Sequence, residues 1–202
     1  LMDELKKFTK SKIITKLAKD KVSVELFEII FPQIKKIKFF SDPNHFAKKK
    51  LEEANFIFIL SLLVIDETDN LDYFIYKFNI SKKDQRRLKI IDKFYKEKNT
   101  AISFSEKNLN RFFYFNGKEA TIDVLSYKLF FLKKIDKKIL KFITMFKSKI
   151  LPTMPISAKV LMEKYDIPEG KNLGNKIKII ENEWVNNNFE LSSKQISRII
   201  SR

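Results

Sequence analysis

The chain has 202 residues, 41 Lys and Arg against 25 Asp and Glu, a formal charge of +16, and 44% hydrophobic residues. That is long and apolar enough to bury a core, which excludes a disordered basic tail. No Cys, one His and three Gly exclude a disulfide scaffold, a zinc ribbon, a two-histidine metal site and a glycine-rich phosphate loop.

Apolar spacing is helical almost throughout, beginning at Leu1-Met2-Asp3-Glu4-Leu5-Lys6-Lys7. A sequence that starts in the middle of a helix, at Leu rather than Met, reads as a piece of something longer. Ile13, Ile14 and Leu17 continue the pattern, then Val24, Phe27, Ile30 and Phe31 up to Pro32. Ser41-Asp42-Pro43 reads as a helix start, with Asp42 as cap, Pro43 in the first helical position, and the helix running to about Ile65. Its Phe56–Ile65 stretch is too short to span a bilayer, which takes about 20 residues, and reads as a buried core helix. With neither cysteines nor a targeting segment in view, a cytoplasmic location is the expectation.

Asp66 to Asn70 is an acidic turn, followed by an apolar face at Leu71, Phe74, Ile75 and Phe78. Ser81-Lys82-Lys83-Asp84 resembles a capping box opening a helix with Leu88, Ile91, Phe94 and Tyr95 inward. Ser105 caps the next helix and Asn116-Gly117 ends it. Residues 118–150 hold one long or two broken helices, with Lys133, Lys134, Lys137, Lys138 and Lys141 on one broad face and Ile135, Ile139, Leu140 and Ile143 on the other. Pro152 and Pro155 exclude a helix interior and mark a boundary between a region 1–150 and a C-terminal module 151–202. No alternating strand pattern of useful length occurs, so the expected fold is all-α, a bundle of antiparallel helix pairs with a small C-terminal helical module.

The charge is uneven. Residues 1–50 carry +7, residues 51–100 carry zero, residues 101–150 carry +7 and the rest +2. Lysines outnumber arginines 36 to 5 and accompany abundant Ile, Phe and Asn, so AT-rich coding accounts for part of the total. The placement is the informative part: two basic regions around a neutral one suit a surface that meets phosphates.

The C-terminal module reads Pro155-Ile156-Ser157-Ala158-Lys159-Val160-Leu161-Met162, then Ile167-Pro168-Glu169-Gly170-Lys171-Asn172-Leu173-Gly174, then a helix through Trp184 and a capping box at Ser192 to Gln195. Gly174 in the first turn would permit close approach of a neighbouring helix. This order resembles the C-terminal end of bacterial tRNA nucleotidyltransferases (CCA-adding enzymes) and the related poly(A) polymerases. Pro168, Gly170, Leu173, Gly174 and Trp184 keep that pattern, whereas Ala158, Val160 and Lys171 depart from it. The helix at Leu1 and the stretch Leu71–Arg87 are similar in order and spacing only.

The resemblance implies a neck, body and tail that hold tRNA or other RNA 3′ ends for a catalytic head domain in cis. The family's head uses an Asp-x-Asp pair, Mg2+ and nucleoside triphosphates for 3′-end addition. No Asp-x-Asp occurs here, and Asp69 and Asp72 read as helix-start acids. The chain alone is therefore expected to be inactive and to hold no cofactor. The RNA contacts expected are Lys133, Lys134, Lys137, Lys138 and Lys141 with Arg111 beside them, and a second cluster of Lys82, Lys83, Arg86 and Arg87. Phe112 to Phe115 are consecutive and cannot all face inward, which leaves one or two for base stacking. A basic helical adaptor binding protein partners or anionic membrane surfaces is the alternative.

Overall fold

The computed structural model describes residues 2–97 and 103–201; Leu1 lies outside them. Among the described residues the fold is all-helical, with no strand. Three short helices, α1 (Met2–Phe8), α2 (Ser11–Leu17) and α3 (Lys21–Ile30), lead through a 3-10 turn at Ile37–Phe40 into α4 (His45–Glu53) and α5 (Phe56–Val64). Then come α6 (Asn70–Lys77), α7 (Lys82–Lys96), α8 (Glu106–Phe131) and α9 (Lys137–Ser148). After a non-helical stretch at the two prolines, α10 (Ala158–Tyr165), α11 (Lys171–Asn186) and α12 (Ser193–Ile200) close the chain.

The helix expected from Pro43 to Ile65 is two helices. Asn55 breaks it: its side chain accepts from the Phe58 N–H at 3.0 Å and starts α5, while Ala54 is extended. The cap of α4 is Asn44, not Asp42, so Pro43 lies outside the helix. An amide does here what a carboxylate cannot. Its oxygen accepts from Ala47 N–H, while its nitrogen donates to the carbonyls of Leu129 and Leu132, each at 2.9 Å. One side chain thus closes the N-terminus of α4 and the C-terminus of α8. Asn70 joins the acidic turn to the core in the same manner, donating to Gln33 and Val64 carbonyls at 2.7 Å.

Other local expectations hold. Ser81, Ser105 and Ser192 cap their helices, the last in a full capping box. Gly117, at φ +82°, interrupts α8 and turns it into two segments that meet at an angle. Residues 132–136 separate α8 from α9, so Lys133 and Lys134 stand in a loop and only Lys137, Lys138 and Lys141 share the exposed face of a helix. Ile139 and Ile143 face the core, whereas Ile135 is off the helix and exposed.

α5 is the centre of the main core: Phe58 to Val64 are all buried, packed between α6 and α7. α8 lies against α4, α7 and α9. A second, smaller core forms from Leu161, Ile167, Leu173, Ile180 and Ile196 in the C-terminal module. The module docks on α8 through aromatic rings: Trp184 and Phe189 pack against Tyr114 at 5.4 and 5.9 Å between ring centroids.

Candidate nucleic-acid interface

α7 presents two unlike faces. Leu88, Ile91 and Phe94 fill the core, and the remaining surface is basic: Lys82, Lys83, Arg86, Lys89 and Lys93 are all exposed. Ser81 starts the helix by accepting from the Asp84 N–H at 3.2 Å, which fixes the direction in which these cations project. From Lys82 to Lys93 the helix covers about 16 Å at 1.5 Å per residue.

This face borders a row of adjoining recesses that share lining residues, together called the furrow here. Its largest part, about 790 Å3, lies between α1, the start of α5, α7 and the middle of α8, and is lined among others by Lys6, Phe56, Lys83, Arg86, Ile90 and Asn116. Ile90 and Asn116 also belong to a recess of about 450 Å3 containing Lys93, Arg111, Phe112 and Phe115. In the other direction Lys6 and Phe56 lead, past Lys10, to Leu51 and Glu52. Those two residues border a hollow lined by Lys12, Lys16, Lys19 and Lys48. Thirteen basic side chains line this path and its α7 flank against the four acids Glu52, Asp84, Glu97 and Glu119. Four of these bases pair with acids outside the lining, Lys6 with Asp3, Lys48 with Asp42, Lys89 with Asp72 and Arg87 with Asp123, and basic side chains still outnumber acidic ones, which suits a polyanion.

The structure sorts the cations expected from sequence. Lys82, Lys83 and Arg86 are exposed on the furrow or its flank. Arg87 is not available to a ligand in the same way. It turns inward, with Nε donating to Asp123 Oδ2 at 2.7 Å, Nη2 to Asp123 Oδ1 at 3.0 Å, and Nη1 2.9 Å from Glu119. Burial pushes the Asp123 carboxyl up, against the pull of this guanidinium.

Arg111 does not stand beside the α9 lysines. α9 is antiparallel to the end of α8 and reaches the Arg111 segment at its far end, where Phe146 meets Phe113 at 5.2 Å. Lys137 is nine residues, about 13 Å, back along α9. Arg111 instead lines the furrow and donates to Asn186 Oδ1 at 2.6 Å. Lys133, Lys134, Lys137, Lys138 and Lys141 are exposed and line no part of the furrow.

Sequence reasoning missed the N-terminal lysines. Lys12, Lys16 and Lys19 recur at i, i+4 and i+7, a spacing that places them on one side. Among Phe112 to Phe115, Phe113 is buried, Phe112 and Tyr114 are half-buried, and Phe115 is 46% exposed with the Arg111 guanidinium 5.7 Å from its ring centroid.

In the module, Gly170 has φ +151° and starts α11, a conformation that favours glycine. Gly174 does not serve a close helix approach: a Cβ there would meet nothing within 4 Å, and the residue is exposed. Pro168 is exposed in the turn before Gly170, and Trp184 is buried at the docking contact. Asp69 and Asp72 pair with Lys96 and Lys89, and among the described residues no group of three His, Asp or Glu side chains could hold a metal ion. No described helix is long and apolar enough to cross a membrane. Comparison with protein-family models, with curated proteins and with solved structures finds no match to this chain.

Proposed function

We propose that this chain is an RNA-holding helical body of the kind found in tRNA nucleotidyltransferases and poly(A) polymerases, gripping tRNA or another RNA near its 3′ end for a head domain that performs the chemistry. The observation that carries the reading is the furrow: a row of adjoining recesses lined mainly by basic side chains, with Lys12, Lys16, Lys19 and Lys48 in one, Lys83 and Arg86 in another, and Lys93 and Arg111 in a third. Lysine and arginine on helix faces hold RNA by phosphate charge and shape, without reading base sequence. The module's Pro168, Gly170, Leu173 and Trp184 support the family assignment by their order and, for Gly170, by a backbone that demands glycine. The test is direct: titrate labelled tRNA with purified protein across a salt series. Binding that weakens steeply with salt, and that Lys83→Ala with Arg86→Ala reduces, supports the reading; indifference to tRNA at low salt refutes it.

One observation favours a second reading, an adaptor that docks a protein partner. Val22, Leu26, Ile29 and Ile30 form an apolar stripe on α3, exposed at 63, 57, 75 and 55%. Loss of a bound protein, but not of RNA, on Leu26→Asp and Ile29→Asp would distinguish the two functions.

A further inference from the structure

α3 is apolar on two opposite sides. Val24 and Phe27 are buried and seat it on the core, where Phe27 meets Phe8 at 5.8 Å and Phe31 at 5.0 Å between ring centroids. At about 100° per residue, Val22, Leu26, Ile29 and Ile30 share one arc of about 100° turned away from Val24 and Phe27. Each is more than half exposed, Ile29 by 75%. A surface helix ordinarily sets polar residues opposite its core-facing side, and one apolar on both sides is suited to burial on both. Single exposed apolar side chains need no explanation, but a row of four at i, i+4, i+7 and i+8 is the anchor spacing by which one helix seats on another. None of the four lines a recess of the furrow, so this surface is not part of it.

The charges beside the row select the occupant. Only one flank carries them: Glu25 adjoins Ile29 around the helix, followed by Lys21, 3.8 Å from Glu25, and then Glu28. The other flank is Ser23. From Asp20 to Ile34 three acids stand against one lysine, in a chain of +16. A second copy of this chain does not match that pattern. Two α3 helices paired antiparallel set the Glu25–Glu28 flank against itself, and paired parallel they set it against Ser23. Lysine or arginine on the occupant does match it, because flank charges decide which helix pairs with which. At physiological salt a charge is screened beyond about 8 Å, so the local acids outweigh the chain's more distant lysines.

We infer that the α3 face docks an amphipathic helix of a different protein, its apolar stripe lying on Val22, Leu26, Ile29 and Ile30 and its lysines or arginines along the Glu25–Glu28 flank. The inference rests on the α3 row being a protein-docking face and holds whether or not the furrow takes RNA. The positive charge elsewhere on the chain repels such a helix from other surfaces, which confines it to this one.

The experiment measures fluorescence anisotropy at about 0.15 M salt with three helix-forming peptides of about 18 residues, or five turns. One has a leucine stripe flanked by lysine, one has the same stripe flanked by glutamine, and one has the first peptide's composition with its leucines scattered round the helix. The lysine-flanked helix is expected to bind about fivefold tighter than the glutamine-flanked one, the scale of two rim ion pairs, and the scattered peptide not to bind. Leu26→Asp with Ile29→Asp abolishes binding of both striped helices, and because both positions are exposed the unfolding midpoint stays unchanged. Glu25→Gln with Glu28→Gln removes the preference for lysine and leaves the glutamine-flanked helix bound. Equal binding of the lysine-flanked and scattered peptides, no preference for lysine over glutamine, binding that survives Leu26→Asp with Ile29→Asp, or no binding by any peptide overturns the inference. So does sedimentation showing that the chain pairs with itself and that Leu26→Asp separates the copies, which assigns the face to a second copy. None of these substitutions touches the furrow, so tRNA affinity of the same variants tests the RNA reading separately.

Discussion

Arg87 and Asp123 form a bidentate ion pair between α7 and α8, with side chains only 17% and 4% exposed. Glu119, 68% exposed, approaches the same guanidinium from the solvent side. Two planar groups meeting by two parallel hydrogen bonds make a strong, directional contact. The pair therefore sets how α7 lies against α8, and so where the basic face of α7 opens on the furrow. Arg87→Ala strands a buried carboxylate and is expected to cost about 3 kcal/mol of stability. Glu119→Gln, at an exposed position, should cost less than about 1 kcal/mol. Urea unfolding midpoints of the two variants check the contrast; equal small losses would contradict this account of the pair.

The two glycines of the module should respond in opposite directions. Gly170 has φ +151°, so Gly170→Ala is expected to destabilise the module by about 1–3 kcal/mol. Gly174 lies inside α11, exposed and with open space around it, so Gly174→Ala should be neutral or stabilise by up to about 1 kcal/mol. Thermal unfolding followed by circular dichroism reads both changes. A large loss at Gly174 would show that the residue meets a neighbour absent from this packing.

Tyr114 offers a pH test of how the module docks. Its hydroxyl donates to Glu181 Oε1 at 2.7 Å. Burial, then the Glu181 hydrogen bond and its charge, push the phenol up to about 12. A phenol raised in the folded state favours docking fully below the ordinary tyrosine value near ~10, and that contribution is lost as pH rises through about 12. Trp184, the only tryptophan in the chain, packs edge-on to Tyr114 and reports the change by its fluorescence. The expected outcome is a shift in Trp184 emission between pH 10 and about 12 that Tyr114→Phe abolishes. A shift that persists in Tyr114→Phe would assign the change elsewhere.

Periodicity and capping chemistry made the helices legible: Ser81, Ser105, Gly117 and Ser192 all punctuate the chain where their side chains or backbone freedom suggest. Asn44 was harder to read, because its cap is chosen by tertiary partners as well as by local propensity. Asn44 beats Asp42 through donors that reach the end of α8, 85 residues away in sequence. The same limit applies to the furrow. Residue type nominates every lysine equally, and only packing separates Arg87, bound inward to Asp123, from Arg86, which faces out. Lys12, Lys16 and Lys19 have helical spacing in the sequence, but nothing local tells that α2 and the turn after it place them around one hollow that adjoins the recess at Lys6 and Phe56.

The furrow and the α9 lysines carry like charges, so a comparison between them isolates geometry from net charge. The most direct measurement is the salt dependence of tRNA affinity for three proteins: the original chain, Lys83→Ala with Arg86→Ala, and Lys137→Ala with Lys141→Ala. Each phosphate contact removed lowers the slope of log affinity against log salt by about 1. If the furrow holds RNA, the first double variant loses about two from the slope with unchanged unfolding midpoint, and the second loses little. Equal losses from both pairs, or a larger loss from the α9 pair, would contradict the furrow as the RNA-binding surface.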